Sequence, residues 1–188
     1  VTREQLEHAI RAACDVAGER AVIVFGSQSI LGQYPDASRE LRQSMEADVA
    51  PGSNDPDVAD RIDGALGEDS AFQQAHGFYV HGLTLDAAAL PRGWERRVVV
   101  VSNERTRGSE GRCLEAHDLA ASKLAAFRDK DRDFVRTLLA EGLISIPKLI
   151  LRVGQLERCA IPAERILKWI EVTQRDLADA PRGRGQGS

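Results

Sequence analysis

No stretch of the chain approaches the roughly 20 consecutive apolar residues that a bilayer-spanning helix needs, so no membrane segment is expected. The opening VTREQLEHAI has no basic stretch followed by an apolar one, so we expect no secretory leader there and a cytoplasmic protein. Cysteine is scarce and scattered. Cys14, Cys113 and Cys159 form no Cys-x-x-Cys pair and no Cys/His spacing for zinc, so neither a disulfide framework nor a zinc module is expected. The glycine patterns of P-loops and dinucleotide folds are missing. Ser27, Ser29 and Ser122 lack the G-x-S-x-G setting of a nucleophile elbow. Lysine is rare too: four of the 25 basic residues, the rest being arginine. The net charge of −4 argues against a generic duplex-DNA binder, which would carry a basic face. The acidity is concentrated, with nine acids against Arg61 alone over residues 44–90.

What is present suits one globular core. A chain of 188 residues buries roughly 70% of its unfolded surface and needs no staples. Leu6, Ile10, Ala13, Cys14 and Ala17 recur at helical spacing over 3–17, and Gly18 can end that helix. Ala21–Phe25 is an all-apolar, β-branched run that reads as a central strand buried on both faces. A short helix is expected through Gln28–Gly32, and a second strand over 44–49, where SMEADV alternates. Val58, Ile62 and Leu66 mark a helix over 57–66, and residues 78–85 and 97–102 read as two more strands. Residues 103–111 read as a polar loop. Beyond Leu114 the pattern is helical, over about 115–128, 131–141, 147–156 and 162–178, with Gly142, Pro147 and Pro162 as punctuation. The last residues, PRGRGQGS, carry no apolar anchor and are expected to be disordered.

Three pieces could carry chemistry. Gly26-Ser27 directly follows the buried strand, where a glycine lets the backbone come close to a ligand. The free N–H groups of a following helix would suit a phosphate; an ordinary strand-to-helix turn would look the same. Glu46 and Asp48 are two apart in an alternating strand, so both carboxylates point to one face, roughly 6.5–7 Å apart. Such a pair either faces solvent harmlessly or holds a divalent cation, with hard oxygen ligands suiting Mg²⁺ or Mn²⁺ shared with substrate phosphates. Lys123 lies in or beside the apolar stripe Leu119, Ala120, Leu124, Phe127. It either snorkels to water or presents a fixed cation to a cleft. Asp131 falls on the same inward line, between Phe127 and Phe134, where a carboxylate needs a partner. Arg128 is a near cation; Lys123 is too far along a straight helix, but within reach if the chain bends near 129–130.

The order strand, Gly-Ser, helix, strand with spaced acids resembles the DNA polymerase β-like nucleotidyltransferase superfamily. The run HDLAASKLAAFRDKDRDFVRTLL, residues 117–139, is similar to the helical segment of small prokaryotic nucleotidyltransferases, among them the AbiEii–MenT toxin-type enzymes and the DUF6036 proteins. The likeness covers about residues 3–145. It implies transfer of a nucleoside monophosphate from an NTP to an acceptor. Gly26 and Ser27 would then hold the triphosphate, Glu46 and Asp48 the metal, Lys123 would contact phosphate, and Asp131 would steady the site. A third carboxylate is expected on a neighbouring strand, where residues 78–85 offer His81, which is either a further ligand or a half-buried strand histidine.

The expected fold class is α/β (α+β): a small mixed sheet with packed helices over 1–112, a helical region over 113–180 packed on that core, and a tail over 181–188. The expected function is metal-dependent nucleotidyl transfer to an RNA, a protein hydroxyl or a small molecule. The resemblance adds a toxin of a toxin–antitoxin pair, with an antitoxin as partner. RNA, such as a tRNA end, would avoid the acidic half and meet the loop with Arg105, Arg107 and Arg112. The rival expectation is a catalytically degenerate fold that binds a nucleotide or a protein; a metal-dependent nuclease is a third.

Overall fold

A computed structural model describes residues 1–179 of the chain, so the tail expectation falls outside the described residues. Helix α1 (Arg3–Ala17) begins at Thr2, whose side chain accepts the Gln5 amide, and ends at left-handed Gly18. Strand β1 (Ala21–Val24) follows. A 3₁₀ turn over Ser27–Ser29 runs into the short α2 (Ile30–Gln33). Then come β2 (Glu46–Pro51), α3 (Pro56–Leu66), α4 (Ala71–His76) and β3 (Tyr79–Gly82). Strands β4 (Val99–Val101) and β5 (Glu110–Cys113) complete the sheet. Four helices close the chain: α5 (Ala116–Ala126), α6 (Asp129–Ala140), α7 (Ile146–Val153) and α8 (Ala163–Asp179).

The five strands form one mixed sheet in the order β3-β2-β1-β5-β4. Strand β1 is central, antiparallel to β2 and parallel to β5. Strand β3 is parallel to β2, and β4 antiparallel to β5. Val22 and Val24 on one face are fully buried and Ile23 on the other is buried too, as a strand covered on both faces requires. Buried apolar residues from Leu6 to Ile170 belong to one continuous cluster, so the sheet and the late helices share a core. Helix α5 lies deep in it. All its alanines and leucines but Ala126 are buried, and small side chains let neighbouring elements approach closely.

Several expectations shift. Strand β2 starts and ends two residues later than expected: Met45 is 59% exposed, and Val22 pairs with Pro51 at the far end. The strand expected over 78–85 is cut to four residues, because Leu85 opens a 3₁₀ turn. The loop expected over 103–111 runs into β5 at Glu110. That strand escapes a hydrophobicity reading because its inward positions are Gly111 and Cys113. A Cβ on Gly111 would lie 2.3 Å from Ile10 Cδ1, so the glycine lets α1 rest on the sheet. Helix α4, which contributes no buried residue, is not foreseen at all. The helix expected after Gly26-Ser27 is only a 3₁₀ turn and four α-helical residues, too short for a substantial dipole.

Candidate functional site

The sheet register assembles the acidic side of the site. Glu46 pairs with Tyr79 and Asp48 with His81 across the parallel β2–β3 ladder. Side chains alternate along a strand, so these four face one way, while Ala47 and Val49 are buried on the other. Tyr79 Oη donates to Glu46 Oε2 at 3.0 Å. Burial, and then this bond, push the tyrosine up to about 12, so it remains a donor. His81 Nδ1 lies 3.4 Å from Asp48 Oδ1. One ligand atom each from Glu46, Asp48 and His81 falls within 4.8 Å of the others, close enough to share one cation.

Asp48 is held against the Gly-Ser turn. A Cβ on Gly26 would stand 1.9 Å from Asp48 Oδ2 and 2.6 Å from its Cγ. The backbone of Gly26 is extended (φ −80°), so glycine is required here for space and not for conformation. Burial raises the Asp48 carboxyl, and the charge of Glu46 raises it further; Lys123 and His81 oppose them. A buried carboxyl that resists ionisation beside a like charge is what a divalent cation would relieve. Gly26→Ala should therefore displace the carboxylate. We expect at least a 10-fold loss of Mn²⁺ affinity by calorimetry, in the range seen when the support of a metal ligand is removed. Unaltered affinity would mean that Asp48 does not need the space.

The cationic side comes from the late helices. Helix α5 stops at Ala126, Phe127 adopts a left-handed conformation (φ 54°), and α6 starts at Asp129. The break lies about two residues before the bend expected at 129–130. It is fixed by Asp131, whose Oδ2 accepts the backbone N–H of Arg128 at 3.3 Å, one half of a capping box. Asp131 is only 1% exposed, and Arg128 Nε donates to its Oδ2 at 2.6 Å. Lys123 Nζ reaches its Oδ1 at 3.5 Å, a contact that a straight helix would forbid. The Lys123 side chain is 16% exposed and lies 5.6 Å from the centre of the Phe134 ring.

Both sides line one cavity of about 1000 Å³. Such a volume is at the upper end of small-molecule and cofactor sites. Gly26, Ser27, Glu46, Asp48, His81, Lys123 and Asp131 all border it. The structure thus brings together every residue singled out for the site from the sequence. Arg128, the near cation expected for Asp131, borders it as well, and Tyr79, which had not been singled out, stands directly behind Glu46. For Tyr79 the signal was available: it is two before His81, as Glu46 is two before Asp48. By contrast, Arg105, Arg107 and Arg112 do not line this cavity. Arg105 pairs with Glu4 at 2.6 Å and Arg112 with Glu110 at 3.6 Å.

Paired hard ligands facing two fixed cations across a cleft can hold a metal-bound polyphosphate. A family described as "Nucleotidyltransferase of unknown function (DUF6036)" matches residues 4–173, and the chain belongs to that family. No curated protein and no solved structure matches the chain. Among the described residues no helix is long and apolar enough to cross a membrane.

Proposed function

We propose that this protein is a metal-dependent nucleotidyltransferase that moves a nucleoside monophosphate from an NTP to an acceptor hydroxyl. The observation that carries the reading is the placing of Glu46, Asp48 and His81 opposite Lys123 in one cleft, with Gly26 making room for Asp48. The donor set fits a hard divalent cation, Mg²⁺ or, because an imidazole is included, Mn²⁺. When bound, that cation neutralises charge on the phosphates and polarises the transferring group. Glu46 and Asp48 hold the cation, with Tyr79 fixing the Glu46 rotamer by its hydrogen bond. Gly26 and Ser27 offer backbone and hydroxyl to the triphosphate. Lys123, steadied by Asp131, supplies a positive charge where negative charge builds up on the transferring group. Catalysis in this scheme is positioning and electrostatics, and needs no covalent intermediate on the protein.

The acceptor classes are RNA, a protein hydroxyl and a small molecule. The toxin-type enzymes that residues 117–139 resemble make a cognate antitoxin the protein partner to seek, and a tRNA end the RNA to try first. With Arg105 and Arg112 engaged in ion pairs, an RNA would have to compete for them. The reading also places the protein in the cytoplasm.

The test is a titration of each NTP with and without Mg²⁺ or Mn²⁺, followed by incubation of labelled NTP with total RNA and with the protein alone. Metal-dependent NTP binding and label transfer are expected. Binding indifferent to the metal, with no transfer, would overturn the reading in favour of a degenerate nucleotide-binding module. The specific feature on which that rival rests is a histidine, His81, at the position of a third carboxylate.

A further inference from the structure

We infer that Arg128 is a polyphosphate-positioning residue that binds the pyrophosphate leaving group, and that the break between α5 and α6 exists to aim it. The inference rests on the nucleotidyltransferase reading above and adds to it a residue and a role.

Three observations converge. The first is the clamp. Asp131 takes two parallel bonds from one edge of the guanidinium, Nε to Oδ2 at 2.6 Å and Nη2 to Oδ1 at 3.2 Å. A planar fork gripped along one edge is fixed in orientation. The second is what the clamp leaves over. Arginine has five N–H donors, and among the described residues the Arg128 side chain bonds to no group besides Asp131. The side chain is 59% exposed, although its partner carboxylate is 1% exposed. One edge is anchored in the protein and the other is open, and Arg128 borders the cleft. The third is the electrostatic setting. The bond from Asp131 is the main stabiliser of the Arg128 charge, and Asp48 and Glu46 add to it from across the cleft. The cation therefore lies within range of the metal-ligand pair without touching it.

The helix break makes this possible. On an uninterrupted helix Lys123 and Arg128, five apart, would point to different faces. The left-handed Phe127 turns the chain so that both cations meet the same carboxylate, Lys123 at Oδ1 and Arg128 at both oxygens. Arg132 Nη1 donates to the Phe127 carbonyl at 3.1 Å, and its guanidinium lies 4.8 Å from the centre of the Phe127 ring; both contacts hold the turn.

In the reaction, the acceptor oxygen forms a bond to the α-phosphorus and its proton passes to water. The bond between the α-phosphorus and the α–β bridging oxygen breaks, and that electron pair leaves with pyrophosphate. The charge appearing on pyrophosphate is what the free donors of Arg128 meet, while Lys123 attends the α-phosphate.

Inorganic pyrophosphate isolates this role, because it carries no base and no ribose. The full chain, Arg128→Gln and Arg128→Lys are titrated calorimetrically with Mn²⁺ alone and then, with Mn²⁺ saturating, with pyrophosphate. Removing a hydrogen bond to a charged group predicts a roughly 10–100-fold loss of pyrophosphate affinity in Arg128→Gln. The Mn²⁺ affinity should stay within about 3-fold of the parent. Arg128→Lys keeps the charge opposite Asp131 and guards against misfolding; it should recover only part of the loss, since lysine cannot form the fork. Equal pyrophosphate affinity in all three proteins, or a parallel fall in Mn²⁺ affinity, overturns the role of Arg128. Failure of the parent itself to bind pyrophosphate with Mn²⁺ present overturns the underlying nucleotidyltransferase reading instead.

Discussion

Asp48→Asn protein is expected, free of metal, to melt at a higher temperature than the parent at neutral pH and, with metal supplied, to lose most of its nucleotidyl transfer. The two effects have one cause. The Asp48 carboxyl is raised above its ordinary 3.8, first by burial and then by the charge of Glu46, with Lys123 and His81 compensating only in part. A carboxyl raised on folding binds more protons in the native state than in the unfolded state. Its charged form therefore costs stability, and that cost grows as pH rises from the ordinary value through the raised one. Above that window the penalty is complete; below it parent and variant carry the same neutral group and should melt alike. Asparagine keeps the shape and removes the charge. A divalent cation relieves the same repulsion in the parent, so Mg²⁺ or Mn²⁺ should raise the parent's Tm by mass action and leave the variant's unchanged. Activity should fall by roughly 10²–10³-fold or more, as when a transition-state stabiliser is removed. Melting curves between pH 3.5 and 8, with and without Mn²⁺, check the whole pattern. A parent whose Tm ignores both pH and metal across that range would show that Glu46 and Asp48 are merely two surface acids.

The parts of the site that were legible in the sequence are those set by local periodicity. The strand period of two puts Glu46 and Asp48 on one face wherever the strand lies. Helical spacing puts Asp131 inward, and desolvation demands a cation for it. The parts that were not legible depend on pairing at long range or on an unannounced backbone choice. Tyr79 meets Glu46 only through the parallel β2–β3 register, 33 residues apart in sequence. The helix break lies at a phenylalanine, where no glycine marks the left-handed turn, so the bend was expected next to Asp129-Lys130 instead. The fold shows the same division. β1 stands out as an apolar β-branched run, whereas β5 presents Glu110 and Arg112 outward and only Gly111 and Cys113 inward. Its place beside β1 is a matter of α1 packing down on Gly111, which no single segment encodes.

The largest stability effect is expected away from the cleft, at Asp118. This residue is fully buried in the first turn of α5, where a carboxylate also complements the helix dipole. Arg97 binds it with both arms, Nε to Oδ2 at 2.7 Å and Nη2 to Oδ1 at 2.9 Å. Arg152, from α7, brings its Nε to 3.1 Å from Oδ1, an ion pair whose N–H is not aligned for a hydrogen bond. One carboxylate thus ties the segment entering β4, the buried helix and α7 together. Replacing such a triad with apolar residues can be neutral, but removing one member leaves charges stranded and costs about 3–5 kcal/mol. In Asp118→Ala the stranded groups are two arginines whose side chains are 22% and 11% exposed, and neither has a second carboxylate partner among the described residues. For a domain of this size that loss corresponds to a fall in Tm of about 6–20 °C. Because the metal ligands lie on β2 and β3 and not on α5, the variant should still bind Mn²⁺ well below its Tm, which separates a scaffold role from a site role. A Tm within about 2 °C of the parent would mean that the arginines find water or other partners, and that α5 is held in place by its apolar faces alone.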